Sequence, residues 1–292
     1  MTLLTHLARP ALRRYPFKRG KALIGQLLRF HPRQIPDGRV VPTRCGLNVR
    51  VHPDGMYRGL FLFGEYEPAH TKIYRKLVRP GDVVFDVGAN FGWFTSLLAR
   101  RVRPGGKVHA FEPLPAFAAM TRDIIAINEL EDTVELTNEG LGSASGEFTV
   151  YTFKDLPHGH ASATDLGRAD AVPHTCRITT LDYYVATRRI ARIDFMKVDV
   201  EGHELEVFKG ANQTLSAKHA PIIAFEINRQ CLQHRGVAPG QVFSLLREHG
   251  YAHFWAINPF GGTRPISSAI ESSDCDYLAA KTSHQQRIGR ML

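Results

Sequence analysis

One stretch, VVFDVGANFGWFTSLLA at positions 83–99, constrains the fold more than any other part of the chain. It begins with apolar and β-branched residues, reaches an acid at Asp86, and turns through Gly88, Asn90 and Gly92. Apolar side chains then recur at helical spacing, so the period changes from that of a strand to that of a helix. The stretch therefore predicts a buried strand, a glycine-rich turn and a helix whose first N–H groups are available to a ligand.

Strands and helices continue to alternate along the rest of the chain. Strands are predicted at 83–88, 107–112, 133–138, 146–153, 176–181, 194–200, 221–227, 251–257 and 276–281, and the longer helices at 68–78, 92–102, 115–128, 203–216 and 239–249. Repeated βα units predict an α/β fold, with a mainly parallel sheet and helices on both faces. Because ligands of such sheets bind at the carboxyl ends of the strands, one rim is expected to collect Asp86–Gly92, Glu112–Pro113, Asp199–Gly202 and Glu226–Asn228.

Composition divides the chain into four parts. We assign a basic N-terminal arm (1–38), a small β appendage (39–64), the main α/β domain (65–285) and a mobile tail (286–292). Within the domain, residues 154–175 are rich in Gly, His, Ala and Asp. We predict that they form a long loop over the site.

An acid at the end of the second predicted strand suggests the ligand. Glu112 lies 20 residues after Gly92, a spacing at which a carboxylate accepts hydrogen bonds from the ribose of an adenosine. The alternative is a helix N-cap ahead of Pro113. The turn has Asn90 where a dinucleotide fingerprint has glycine, and Asp86 would repel a pyrophosphate but attract an ammonium or sulfonium group. The turn therefore favours S-adenosylmethionine over NAD.

The net charge of +9 belongs to the N-terminal segment. Residues 1–50 contain eleven Lys or Arg and one acid, so the other 242 residues sum to −1. Because the body is close to neutral, a nucleic-acid partner is not expected. The stretch RRYPFKRGK predicts a solvated basic arm or, alternatively, weak contact with an anionic membrane surface. Four dispersed cysteines and the lack of a signal-peptide pattern predict a cytoplasmic protein, peripheral to the inner membrane face if the arm binds lipid.

Six blocks of sequence resemble the FkbM-type S-adenosylmethionine-dependent methyltransferases. They are YEP (66–68), GDVVFDVGANFGWFT (81–95), VHAFEPLP (108–115), TTLDYYV (179–185), IDFMKVDVEGHELEVFKGA (193–211) and IIAFEI (222–227). The resemblance covers roughly residues 64–227. It implies a Rossmann-like class I methyltransferase fold with a seven-stranded sheet whose last strand is antiparallel. It also implies O-methylation, commonly of sugar hydroxyls on polysaccharides or glycolipids, or of natural products.

The resemblance also implies roles for individual residues around the cofactor. The methionine end would lie against Asp86, Gly88, Asn90 and Gly92, and the ribose against Glu112. Further residues are placed near the cofactor by position: Phe94 and Thr95 beside the turn, Pro113 next to Glu112, Asn138 or Glu139 near adenine, and Glu67 near cofactor or acceptor. Glu67 is equally well read as a charge at a helix start, ahead of Pro68.

Methyl transfer to a hydroxyl needs alignment of the reactants and a group that accepts the proton. The first candidate is Asp199 at a strand end, the second is Glu226 at the next strand end, and the third is a loop histidine, His158 or His160. Asp199 could instead be a buried structural acid paired with Lys197, and a loop histidine is commonly just solvated. No cluster of metal ligands stands out, so we predict a metal-independent reaction.

The sequence thus favours an O-methyltransferase that acts on a hydroxyl of a sugar or glycan, a glycolipid precursor or a natural product. Three alternatives stay open. An NAD-dependent oxidoreductase is disfavoured by Asn90 and Asp86, and a nucleic-acid methyltransferase by the near-neutral body. A protein that binds the cofactor without turnover differs from an enzyme only in activity, because fold does not determine function.

Overall fold

A computed structural model describes residue 8 and residues 10–13, 30–154, 161–266 and 276–289. Most of the predicted basic arm lies outside these residues, and with it the predicted membrane contact. His158 and His160 lie outside them as well, so their predicted roles remain predictions.

The described elements follow the predicted alternation closely. The strands are β1 (Arg39–Pro42), β2 (Asn48–Val51), β3 (Val83–Val87), β4 (Lys107–Phe111), β5 (Val134–Thr137), β6 (Gly140–Leu141), β7 (Gly146–Phe153), β8 (Ala161–Ser162), β9 (Ala171–Thr179), β10 (Phe195–Val198), β11 (Ile222–Glu226), β12 (His253–Ile257), β13 (Thr263–Ile266) and β14 (Asp276–Ala280). The helices used below are α1 (Arg58–Phe63), α2 (Pro68–Leu77), α3 (Trp93–Val102), α4 (Pro115–Ile127), α5 (Leu181–Arg188), α6 (Glu204–Lys209), α7 (Asn212–Ser216), α8 (Arg229–His234), α9 (Pro239–Glu248) and α10 (Gln285–Gly289).

The main sheet has the strand order β13-β12-β14-β11-β10-β3-β4-β5. The five strands from β11 to β5 are parallel, and β14 runs antiparallel between β11 and β12. This arrangement confirms the predicted α/β Rossmann-like fold with an antiparallel last strand. The described sheet has one strand more than predicted, because β13 forms an edge hairpin with β12.

Successive residues of the central strands face opposite layers of the core. Val84 and Phe195 pack on one face with α2, α3 and part of α4, whereas Phe85 and Met196 pack on the other face with α5, α6, α7 and α9. Because both faces are covered, the central strands are almost continuously apolar rather than alternating. Two charged residues lie within β3 and β10, Asp86 and Lys197, and both belong to the site described below.

The appendage differs from its prediction in its second half. Residues 39–51 form the predicted β-hairpin of β1 and β2, but LFLF belongs to helix α1, which ends at Gly64 in a left-handed conformation. A short apolar run fits a strand or a buried helix equally well, so periodicity could not separate them. The hairpin packs on α4, where Arg50 Nε lies 3.0 Å from Asp123 Oδ2.

A second sheet occupies part of the predicted loop over the site. Its strand order is β6-β9-β7-β8, with β7 antiparallel to both β8 and β9. The predicted loop at 154–175 was therefore too long, since β8 and the first half of β9 fall within it. Polar and apolar residues do not alternate regularly in β9, and its partner β7 comes more than a dozen residues earlier in the chain.

The C-terminal residues 286–289 pack against the domain, where the sequence suggested a mobile tail. They belong to α10, in which Ile288 is buried. Arg287 Nε donates to the carbonyl of Leu77 at 3.0 Å, and its guanidinium pairs with Asp82. Among the helices that the structure describes, none is long and apolar enough to cross a membrane.

Candidate active site

A cavity of about 560 Å³ opens at the carboxyl ends of β3, β4, β10 and β11, the rim predicted from the sequence. Its wall combines charged and polar residues from the strand ends with apolar residues from the start of α4 and from the second sheet. Seven of the residues predicted for the site line this cavity: Glu67, Gly88, Asn90, Glu112, Pro113, Asp199 and Glu226. The fold thus brings together residues from five separate segments.

The glycine-rich turn adopts a backbone that side chains would obstruct. Gly88 and Gly92 have φ values of +80° and +84°. A Cβ atom at Gly88 would lie 1.9 Å from the carbonyl oxygen of Asp199, and one at Gly92 would lie 2.6 Å from Ile124 Cγ2. Both positions therefore require glycine. Gly88 faces the cavity, whereas Gly92 lets α3 approach α4.

Glu112 is buried at the cavity wall and binds the turn. Its Oε2 accepts a hydrogen bond from Asn90 N at 2.8 Å, and its Oε1 accepts one from Leu114 N at 2.9 Å. Burial raises the pKa of Glu112 to about 7, although these two hydrogen bonds lower it. Asn138 Nδ2 donates to the carbonyl of Glu112 at 2.7 Å, so Asn138 holds this strand end and does not itself line the cavity.

Four more of the predicted cofactor residues are not on the cavity wall: Asp86, Phe94, Thr95 and Glu139. Asp86 is fully buried, and Thr95 Oγ1 donates to its Oδ2 at 2.6 Å. Phe94 lies beneath the Lys197 ammonium, 5.7 Å from Nζ to the ring centroid. Glu139 pairs with Arg177 at 2.7 Å. Asp86, Phe94 and Thr95 therefore pack behind the turn, on the side away from the cavity, whereas Glu139 does not.

Three carboxyl groups converge at the cavity wall. One oxygen each from Asp199, Glu201 and Glu226 lies within 4.8 Å of the others. Burial opposes ionisation of Asp199, but Lys197 and a hydrogen bond with Glu226 outweigh it and lower the pKa of Asp199. Burial and the neighbouring carboxylates raise the pKa of Glu226 far above its usual value. Asp199 is therefore ionised, and Glu226 carries the proton between them.

Glu201 and Glu67 hold unusual backbone conformations at this cavity. Their φ values are +50° and +38°, in the left-handed region that costs a non-glycine residue energy. Asn228 Nδ2 donates to Glu201 Oε2 at 2.7 Å, while burial and Asp199 raise the pKa of Glu201 to about 7. Such strain is commonly stored at functional sites. Both glutamates face the cavity.

Sequence reasoning missed a histidine at the cavity. His70 Nδ1 lies 3.1 Å from Glu67 Oε2, and Nε2 lies 3.2 Å from Asp276 Oδ1. Burial opposes its protonation, but the two carboxylates prevail and raise the pKa of His70 to about 10. Asp276 lies opposite Glu226 in the register of β14 and β11. Since an antiparallel last strand begins where the parallel strands end, its first residue could have been assigned to this rim from sequence.

Part of the cavity wall is an apolar slot. Its residues come from the start of α4, including the preceding Leu114, and from the second sheet: Leu114, Phe117, Leu141, Phe148 and Val150. His203, to which the sequence analysis attached no role, lies against Phe148 with ring centroids 5.5 Å apart. Burial lowers the pKa of His203 to about 4, so its ring is neutral. The slot suits a flat, largely apolar group.

The comparisons with known proteins agree with this architecture. Residues 86–252 match the family model described as the methyltransferase FkbM domain. The chain is 30% identical to the 31-O-demethyl-FK506 methyltransferase FkbM of Streptomyces tacrolimicus, over 64% of this chain and 79% of that protein. It is also 30% identical to the hexuronic acid methyltransferase AglP of Haloferax volcanii, over 57% of this chain and 62% of that protein.

Among solved structures, the chain is similar to the methyltransferase FkbM of Methylobacillus flagellatus KT. The TM-score is 0.42 with 14% identity, over 76% of this chain and 52% of that one. A likeness at this level adds nothing to the topology given above. The family model, in contrast, covers more than half of the chain and confirms the resemblance seen in the sequence. The protein is therefore a methyltransferase and belongs to the FkbM methyltransferase family.

Proposed function

We propose that this methyltransferase transfers the methyl group of S-adenosylmethionine to a hydroxyl of a sugar or glycan, a glycolipid precursor or a natural product. The observation that carries the proposal is a single cavity lined by two chemically different groups of residues. The first group, which we call the cofactor side, has the glycine-rich turn, Glu112 and an apolar slot, which suit an adenosine cofactor. The second group, the acceptor side, has an ionised carboxylate, Asp199, hydrogen-bonded to a protonated one, Glu226.

The residues present fit S-adenosylmethionine. Both Glu112 oxygens accept one backbone N–H each, and each keeps a lone pair for a ribose hydroxyl. Backbone at Gly88 and Asn90 faces the same space and would meet the methionine end. The slot beside Phe117 would take the adenine ring. When bound, the cofactor supplies an electrophilic methyl group on a cationic sulfur, and nearby ionised carboxylates attract that charge.

Asp199 is our candidate for the general base. Its side chain is 38% exposed, so an acceptor hydroxyl has access to it from the cavity. In the resting state the protonated Glu226 donates a hydrogen bond to the Asp199 carboxylate, which keeps Asp199 ionised and ready to accept a proton. Asp199 would accept the proton of the acceptor hydroxyl as the oxygen bonds to the methyl carbon and the carbon–sulfur bond breaks, which leaves S-adenosylhomocysteine. Exchange with solvent then restores the ionised form.

The class of acceptor is supported by the relatives. One is named as a 31-O-demethyl-FK506 methyltransferase and another as a hexuronic acid methyltransferase, so the first name specifies a demethylated oxygen and the second a sugar acid. The carboxylates at the acceptor side agree with a hydroxyl acceptor, because they accept hydrogen bonds from hydroxyl groups. Five of them, Glu67, Asp199, Glu201, Glu226 and Asp276, line the same cavity. They disfavour a nucleic-acid backbone, which is anionic throughout.

The test begins with titration calorimetry of the purified protein with S-adenosylhomocysteine and with NAD. We expect binding of S-adenosylhomocysteine and none of NAD. Transfer of labelled methyl groups is then measured on p-nitrophenyl glycosides of neutral, amino and uronic sugars and on a macrolide with free hydroxyls. Folded protein that does not bind S-adenosylhomocysteine would refute the proposal.

The proposed base is tested with Asp199→Asn. We expect its kcat to fall by about 10²- to 10⁴-fold while its affinity for S-adenosylhomocysteine stays within a few-fold of wild type. Asp132→Asn is the matched control, because that side chain is 76% exposed and pairs with Arg103. Unchanged kcat in Asp199→Asn would exclude Asp199 as the base.

A further inference from the structure

Lys197 is an ammonium group buried in the middle of the main sheet. It is a charged residue in the otherwise apolar strand β10, next to Asp86 of β3 in the register. The side chain of Lys197 is 4% exposed and that of Asp86 is fully buried. A buried ion pair seldom stabilises a fold more than apolar residues of the same volume would. Stability by itself therefore does not account for a lysine at this position.

The three partners of Lys197 connect the two sides of the cavity. Nζ donates to the carbonyl of Gly88 at 3.0 Å, and lies 3.3 Å from Asp86 Oδ1 and 3.3 Å from Asp199 Oδ2. Three partners match the three N–H groups of an ammonium in number. One partner belongs to the turn proposed to hold the cofactor, and another is the proposed base. Asp199 N also donates to the carbonyl of Val87 at 3.1 Å, so the two segments touch through backbone as well.

We propose that Lys197 is a positioning residue for methyl transfer, which fixes the Gly88 turn relative to Asp199 and keeps Asp199 ionised. The inference rests on the proposed function. Lys197 does not line the cavity, so it acts through the turn and the carboxylate and not on the acceptor itself. Its loss would leave Asp86 and Asp199 facing each other without the cation between them.

The surroundings of Asp199 leave Lys197 as its main source of positive charge. The other groups that act on Asp199 are acids, phenols and one imidazolium. They come from β11, the turn after β10, α6, α2 and the segment before α2: Glu226, Glu201, Glu204, Tyr66, Tyr74 and His70. His70 is itself paired with Glu67 and Asp276. Removing Lys197 therefore shifts the balance at Asp199 toward its protonated form.

The experiment compares wild type with Lys197→Met, which keeps an unbranched side chain one atom shorter and removes its charge. With cofactor and acceptor saturating, so that kcat does not report on binding at Glu112, we expect the kcat of wild type to be independent of pH down to about pH 5, because Asp199 stays ionised there. In Lys197→Met we expect kcat to fall at acid pH with a midpoint about 1 to 3 pH units above that of wild type. We also expect affinity for S-adenosylhomocysteine to fall by about tenfold or more, because the turn loses a charge-assisted hydrogen bond.

Lys209→Met is the matched control, since its ammonium is 49% exposed and pairs with Glu206. It is expected to leave both readouts unchanged. If Lys197→Met does not fold, the double variant Lys197→Met/Asp86→Asn removes the second buried charge and is expected to show the same midpoint shift and loss of affinity. A merely structural lysine would lower kcat without moving the midpoint. An unmoved midpoint in a folded variant would thus overturn the proposal.

The outcomes separate this inference from the proposed function. Wild type that binds S-adenosylhomocysteine but methylates no acceptor refutes the proposed function. Lys197 is then judged by binding alone, and equal affinity of wild type and Lys197→Met refutes its role at the turn. Wild type that binds no S-adenosylhomocysteine refutes both.

Discussion

Replacing Glu112 by glutamine separates the binding role of this side chain from its structural role. Glutamine has one acceptor oxygen, so one of the N–H groups of Asn90 and Leu114 loses its partner, at a cost of about 1–3 kcal/mol. Glutamine also removes the cost of ionising a buried carboxyl with a pKa of about 7, roughly 3 kcal/mol. Because these effects oppose, the free energy of unfolding near pH 8 should change by less than about 2 kcal/mol.

The effect of Glu112→Gln on the affinity for S-adenosylhomocysteine is not offset in this way. A carboxylate accepts hydrogen bonds from both ribose hydroxyls, whereas the amide of Glu112→Gln accepts from one at most. The loss of one charge-assisted hydrogen bond corresponds to about 1.5–3 kcal/mol, or an affinity for S-adenosylhomocysteine about 10- to 150-fold weaker. Titration calorimetry near pH 8 measures this change, and urea unfolding of the same samples measures stability.

Glu139→Gln is the matched control for this prediction. Glu139 was also assigned to the cofactor from the sequence, but it pairs with Arg177 and does not line the cavity. We expect its affinity for S-adenosylhomocysteine to stay within about threefold of wild type, since an exposed ion pair contributes little. Wild-type affinity in Glu112→Gln would refute the assignment of the ribose to Glu112. A large loss of affinity in Glu139→Gln would instead assign a cofactor contact to Glu139, which follows β5.

Three further predictions concern the turn, the histidine and metal dependence. Gly88→Ala should abolish binding of S-adenosylhomocysteine in calorimetry, because its Cβ would collide with the Asp199 carbonyl. Gly105→Ala, with a similar φ of +83° and nothing within 4 Å, should bind as wild type does. His70 has a folded pKa of about 10, above the ordinary 6.5, so its stabilising contribution is complete below about pH 6.5 and is lost as pH rises through about 10. Urea unfolding between pH 7 and 10 should therefore show a steeper loss of stability in wild type than in His70→Gln. Methyl transfer should continue in excess EDTA, because a proton and a lysine ammonium already compensate the carboxylate cluster, whereas loss restored by Mg²⁺ would contradict this.

The sequence predicted the parts of the fold that local patterns determine. The strand, turn and helix around Gly88 lie within one residue of their expected bounds, because the change of hydrophobic period and the glycines both act locally. The order of βα units then placed Glu112, Asp199 and Glu226 on one rim. These residues do share a cavity in the structure, although their roles remain predictions.

The parts that could not be predicted depend on contacts between distant segments. The second sheet over the cavity forms because β9 pairs with β7 and β6. No local pattern within residues 154–175 identifies β7 and β6 as the strands with which β9 pairs. Likewise, His70 becomes a fixed cation only because Asp276, some 200 residues later, reaches it from the antiparallel strand. Burial was also invisible, so Asp86 and Thr95 were expected at the cofactor and lie behind the turn.

Two charged residues in the core show how the site could be recognised from the sequence, because they interrupt strands that are otherwise apolar. Strands covered on both faces are expected to be apolar throughout, yet β3 carries Asp86 and β10 carries Lys197. Removing such charges from water costs several kcal/mol each, and their mutual attraction only partly offsets this. Sequence rules that fail at adjacent positions of neighbouring strands point to a constraint other than stability. Here Lys197 pairs with Asp86 and also contacts the Gly88 carbonyl and Asp199, the two places where the proposed cofactor and acceptor sites meet.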